Sequence, residues 1–159
     1  MKAYTIGLYE KAMPNTLTWK EKLEAAKEAG YDFVEISIDE TDEKLSRLEW
    51  TKEERLELVK TMYEVGLPIR SMCLSGHRKY PIGSSDPATC ARGMEIMEKA
   101  IQLADDLGVR IIQLAGYDVY YDESTPETVA RFGENLKKAV HMAARAGVLM
   151  GFETMETEF

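Results

Sequence analysis

The 159-residue chain is 45% hydrophobic and 30% charged, with a formal net charge of −8. That balance excludes a disordered chain. It also argues against nucleic acid or an anionic membrane as a partner, because no basic run exceeds His77-Arg78-Lys79.

No stretch reaches the about 20 apolar residues of a membrane-crossing helix, and the N-terminus lacks a signal-peptide core. Cys73 and Cys90 lack CxxC spacing and read as free thiols in a reducing compartment. The expectation is one cytoplasmic domain over residues 1–159.

The first strand is expected over Tyr4–Tyr9, bounded by Pro14-Asn15. Thr16 or Thr18 caps a helix with an apolar face of Leu17, Leu23, Ala26 and Ala29, which ends at Gly30. Phe33–Ile38 alternates as a second strand, followed by a polar loop at Asp39–Glu43 and an apolar patch of Leu45, Leu48 and Trp50. Thr51 and Glu54 form a capping box for a helix whose face is Leu56, Val59, Met62 and Tyr63, stopped by Gly66.

Ile69–Leu74 is the third strand, with a long loop from Ser75 to Pro87 behind it. A helix over Pro87–Leu107 and a fourth strand over Val109–Leu114 follow. Ser124 or Thr125, with Pro126 in the first turn, starts the last helix, lined by Phe132, Leu136, Ala139, Val140 and Ala143. The fifth strand is the apolar run from Val148, which ends on a carboxylate, Glu153.

Each helix stops at a glycine (Gly30, Gly66, Gly108, Gly147) and an apolar strand follows closely. Repeated strand–helix alternation implies a parallel α/β sheet. Both an open doubly wound sheet and a (β/α)₈ barrel cut short fit the pattern. The absence of GxGxxG after the first strand weakens a dinucleotide-binding reading.

Several residues are candidates for chemistry. Glu153 would stand at the C-terminal end of a buried strand, where an unpaired carboxylate is costly and where barrel enzymes place their catalytic groups. His77 and Arg78, in the loop after strand three, offer a positive pocket for a phosphate or a sugar oxygen; a solvated basic patch is the plainer alternative. Gln113 is placed to bond a sugar hydroxyl or the backbone. Tyr9 and Glu10 line a pocket or form a surface pair. Glu35 inside strand two points into a polar centre or pairs with a cation. Tyr117, Tyr120 and Tyr121 wall a pocket or an interface. His141 reads as structural, and the nine methionines as packing.

The stretches Leu8–Ala12, Phe33-Val34-Glu35 with Asp39–Asp42, Leu45–Leu48, Ser71–Ser84 and Ile111–Tyr121 resemble the L-ribulose-5-phosphate 3-epimerase family. Its members are also called L-xylulose-5-phosphate 3-epimerases and are often labelled hexulose-6-phosphate isomerases. They are xylose-isomerase-like TIM barrels. The resemblance implies a (β/α)₈ barrel of which this chain carries about five strands and four helices.

It further implies one divalent metal, Zn²⁺ or Mn²⁺, held by Glu, Asp, His and Glu from the later strands. Glu153 matches the first of these, as metal ligand and as one of two acid/base groups; the others would fall beyond Phe159. The implied reaction is inversion at C3 of a ketopentose 5-phosphate, with His77 and Arg78 touching the substrate. Five strands cannot close a barrel of eight, so a homodimer or higher oligomer is expected, or a half-barrel that binds a sugar phosphate without catalysis.

Overall fold

The computed structural model of the protein describes residues 4–155. Five strands, β1 (Gly7–Tyr9), β2 (Phe33–Ile38), β3 (Ile69–Leu74), β4 (Ile111–Ala115) and β5 (Leu149–Glu153), form a single parallel sheet in the order β1-β2-β3-β4-β5. Each strand pairs with its neighbours in sequence, so the order never reverses as it does in a doubly wound sheet. The two architectures open from the sequence are thereby resolved in favour of a barrel wall.

The helices are α1 (Trp19–Glu28), the short α2 (Asp42–Leu45), α3 (Lys52–Val65), α4 (Pro87–Leu107) and α5 (Pro126–Arg145). Their ends are set locally. Thr18 with Glu21 and Thr51 with Glu54 make reciprocal capping boxes, and Asp86 and Thr125 cap α4 and α5. The four glycines that follow the long helices all take positive φ, between 66° and 86°.

Four expectations change. The first strand is shorter than Tyr4–Tyr9, because Ile6 is engaged by Asp32 through both its amide and its carbonyl. The polar loop after β2 contains α2: Asp39 accepts from the Thr41 amide and hydroxyl, and Thr41 in turn caps α2.

On α3 the buried stripe is Leu58, Met62 and Val65, whereas Leu56 and Tyr63 face solvent. That sequence carries two apolar stripes at helical spacing, and periodicity cannot say which one the sheet takes. Val140 on α5 is likewise exposed, while Phe132, Ala139 and Ala143 are buried.

Val34, Ile36, Ile38, Met72, Leu74, Ile112 and Leu114 project from one face of the sheet into the core against the helices. The alternate residues, among them Tyr9, Glu35, Ser37, Ser71, Cys73, Gln113 and Glu153, occupy the opposite face, which would be the barrel interior. At the β5 end, Leu149 (68% exposed) and Phe152 (49% exposed) lie open, as do Tyr4 and Ile6 beside β1.

Candidate functional site at the strand C-termini

A cleft of about 300 Å³ opens at the C-terminal ends of the strands, walled by Tyr9, Lys11, Cys73, Arg78, Gln113 and Glu153 among others. Four residues singled out from the sequence, Tyr9, Arg78, Gln113 and Glu153, therefore meet in one place. A larger hollow of about 570 Å³ lies at the other end of the sheet, between the C-terminus of α3 and the start of β3. In β/α barrels that end serves stability and the strand C-termini carry the chemistry, so the smaller cleft is the candidate site.

Glu153 stands opposite Ala115 in the β4–β5 ladder. The Gln113 amide donates to its Oε2 at 2.5 Å, which fixes one carboxylate oxygen and leaves the other to a ligand. Tyr9 shares a hydrogen bond of 3.1 Å with Ser37. Burial pushes the Tyr9 phenol well above its ordinary value, so it serves as a hydroxyl and not as a phenolate. Burial also raises the Cys73 thiol beside it, which keeps that sulfur protonated and unreactive.

His77 does not reach the cleft. Its imidazole is buried under α4, with Nε2 3.1 Å from the Gly93 carbonyl. Burial drives its pKa down to about 4, only partly opposed by that hydrogen bond, so the ring is neutral. The expected positive His77-Arg78 pocket is thus carried by Arg78, with Lys11 across the cleft. His77 instead ties the loop after β3 to α4, and Arg131 and Asn135 of α5 hold the same loop through the carbonyls of Ile82, Gly83 and Ser84.

Glu10 was expected at a pocket wall or a surface; it is fully buried behind the cleft. Lys22, Lys44 and Arg47 converge on its two oxygens at 2.5–3.1 Å, and the Ser37 amide adds a fifth bond at 2.8 Å. The indole of Trp19 lies 5.1 Å from the Arg47 guanidinium and that of Trp50 at 5.8 Å. Glu10 joins β1, β2 and α2 and sets the turn between Tyr9 and Lys11. Spacing in the sequence gives no hint of this cluster, because Glu10 and Arg47 are far apart in the chain and meet only through the sheet.

Glu35 accepts from Ser71 at 2.6 Å on the interior face. Tyr121 reaches from the loop after β4 to Glu40 in the loop after β2, at 3.0 Å. Among the described residues no group of three His, Cys, Asp or Glu side chains is placed to hold a metal ion. Glu153 is the one matched member of the implied ligand set, and one carboxylate does not make a metal site.

A parallel sheet wound in sequential order, with a carboxylate at a strand C-terminus, defines a (β/α)-barrel protein. The family model described as the xylose isomerase-like TIM barrel matches residues 23–159. The chain belongs to that family.

Proteins named L-ribulose-5-phosphate 3-epimerase UlaE from Escherichia coli and Shigella sonnei are each 55% identical to it over 155 residues, 98% of this chain and 55% of theirs. The chain thus spans about half the length of the curated relatives it matches. A solved L-ribulose 3-epimerase superposes with a TM-score of 0.70 at 25% identity, over 92% of this chain and 48% of that one. A D-psicose 3-epimerase crystallised with D-fructose gives a TM-score of 0.74 at 17% identity, over 92% and 51%, and speaks to the fold alone. No helix among the described residues is long and apolar enough to cross a membrane.

Proposed function

We propose that this chain supplies the N-terminal part of a sugar-phosphate 3-epimerase acting between L-ribulose 5-phosphate and L-xylulose 5-phosphate. The observation that carries the reading is Glu153 at a strand C-terminus, in a cleft with Tyr9, Arg78 and Gln113. It is supported by 55% identity to proteins named for that reaction.

In this reading the free oxygen of Glu153 takes or returns the proton at C3, whose acidity comes from the neighbouring C2 carbonyl. Gln113 orients the carboxylate, and Tyr9 offers a neutral hydroxyl to the sugar. A divalent metal, Zn²⁺ or Mn²⁺, would supply polarisation of that carbonyl, and Glu153 would be this chain's ligand to it. Its other ligands, and a second carboxylate on the far side of the sugar, would come from residues outside this chain.

The test is proton exchange. The protein is incubated with L-ribulose 5-phosphate in D₂O with Mn²⁺ or Zn²⁺, and the C3–H signal is followed by NMR. Exchange well above a Glu153→Gln control supports the reading. Exchange equal to the control sinks it for this chain.

A second reading rests on the open apolar edges beside β1 and β5, where Ile6, Leu149 and Phe152 lie exposed. It is a non-catalytic half-barrel that self-associates through those edges as a homodimer or larger species and binds a sugar phosphate. Analytical ultracentrifugation that finds only monomer counts against it.

A further inference from the structure

The backbone of β2 explains why Glu10 is buried where it is. Val34 and Ile38 pair toward β3: the Val34 amide donates to the Pro68 carbonyl at 3.0 Å, and the Ile38 carbonyl accepts from the Ser75 amide at 2.9 Å. The amide and carbonyl of Ser37, one residue out of phase, face the other way, toward β1. Strand β1 ends at Tyr9, opposite Glu35, and does not run alongside Ser37. Ser37 is fully buried, so the strand ladder alone would leave both of its backbone groups unpaired.

Two side chains stand in for the missing strand. The Ser37 amide donates to Glu10 Oε2 at 2.8 Å, and Arg47, in the turn after α2, donates to the Ser37 carbonyl at 3.0 Å. The same guanidinium donates to both Glu10 oxygens, at 2.5 and 2.9 Å. Lys22 from α1 and Lys44 from α2 add bonds of 3.1 and 2.9 Å, which hold the carboxylate from separate elements.

The arrangement closes a ring at the cleft wall. Tyr9 shares a hydrogen bond of 3.1 Å with the Ser37 hydroxyl, the Ser37 amide is bound to Glu10, and Glu10 follows Tyr9 in the chain. Both partners of the Tyr9 hydroxyl bond therefore hang on one carboxylate. Glu10 and Arg47 are absent from the cleft lining, whereas Tyr9 is part of it. We propose that Glu10 and Arg47 are positioning residues for the candidate site: the pair replaces a strand beside Ser37 and so fixes the Tyr9 hydroxyl at the cleft. The contact of that hydroxyl with a sugar rests on the ketose reading above; its positioning does not.

The test is carbon NMR of the 159-residue chain labelled at tyrosine Cζ, with the Tyr9 signal assigned by its loss in Tyr9→Phe. Ser37→Ala removes the hydroxyl bond and sets the reference displacement of that signal. Glu10→Gln and Arg47→Lys should each move it in the same direction, and neither should move it further in a Ser37→Ala background. Leu58→Ala, which lowers the melting temperature through the core face of α3, should leave it in place. Should Glu10→Gln fail to fold, Arg47→Lys decides. A Tyr9 signal unmoved by the positioning variants, moved equally by Leu58→Ala, or displaced additively with Ser37→Ala overturns the proposal.

Calorimetric titration with L-ribulose 5-phosphate tests the ketose reading separately. Tyr9→Phe should weaken binding by about fivefold, the size of one hydrogen bond, but by less than about twofold in a Glu10→Gln background. Equal losses in the two backgrounds count against the positioning. No binding, or no loss in Tyr9→Phe, removes the sugar contact, and the NMR result then decides the positioning by itself.

Discussion

Replacement of Glu10 by glutamine tests the buried cluster behind the cleft. Glutamine keeps the size of the side chain and can still accept from the Ser37 amide, but it leaves the buried Lys22 and Arg47 without a counter-charge and Lys44 with only the exposed Glu43 at 3.6 Å. Burial alone would raise the Glu10 carboxyl. The Arg47 bonds and charge, the Ser37 amide and the Lys44 bond outweigh it and bring the pKa from 4.5 to about 2.

A displacement of that size corresponds to about 3 kcal/mol of folding stability, at about 1.4 kcal/mol per pH unit. Removing one partner of a buried pair typically costs about 3–5 kcal/mol, which agrees. For a domain of this length the loss should lower the melting temperature by roughly 6–12 °C.

The sign with pH follows from the depressed value. The folded pKa lies below the unfolded one, so the contribution is complete above about pH 4.5 and is lost as pH falls toward about 2. The gap between wild type and Glu10→Gln, read from urea unfolding curves, should therefore be widest near neutrality and shrink to less than half by about pH 3. A melting temperature within about 2 °C of wild type would refute the argument, as would a gap equally large at the two pH values.

Two other predictions follow from the loop after β3. The His77 ring should titrate near 4 by NMR, against an ordinary 6.5; because the folded value is the lower one, its contribution is complete above about pH 6.5 and drains away as pH falls toward 4. A measured value near 6.5 would mean that the imidazole is not sealed under α4. Gly93→Ala would place a methyl 2.3 Å from the Tyr80 carbonyl oxygen, so the loop must lift off α4. Overpacking of this kind costs about 1–3 kcal/mol. Chemical denaturation should show that loss.

The sequence by itself determined the order of elements, the parallel sheet and the position of every long-helix stop. These are local matters: capping boxes at Thr18 and Thr51, alternation in Phe33–Ile38, and glycines that accept positive φ. It also placed Glu153 at a strand end and brought Arg78, Gln113 and Tyr9 forward as candidates, since strand ends can be read from a one-dimensional pattern. The tertiary structure decided what depends on distance in space. It removed His77 from the cleft by burying it against Gly93, and it turned Glu10 from a pocket residue into the hub of three cations. It chose between the two apolar stripes of α3, and it set the Arg78 guanidinium over the Tyr120 ring. Hydrogen-bond and charge partners drawn from strands and loops far apart in the chain leave no period in the sequence, so only the folded sheet could bring them together.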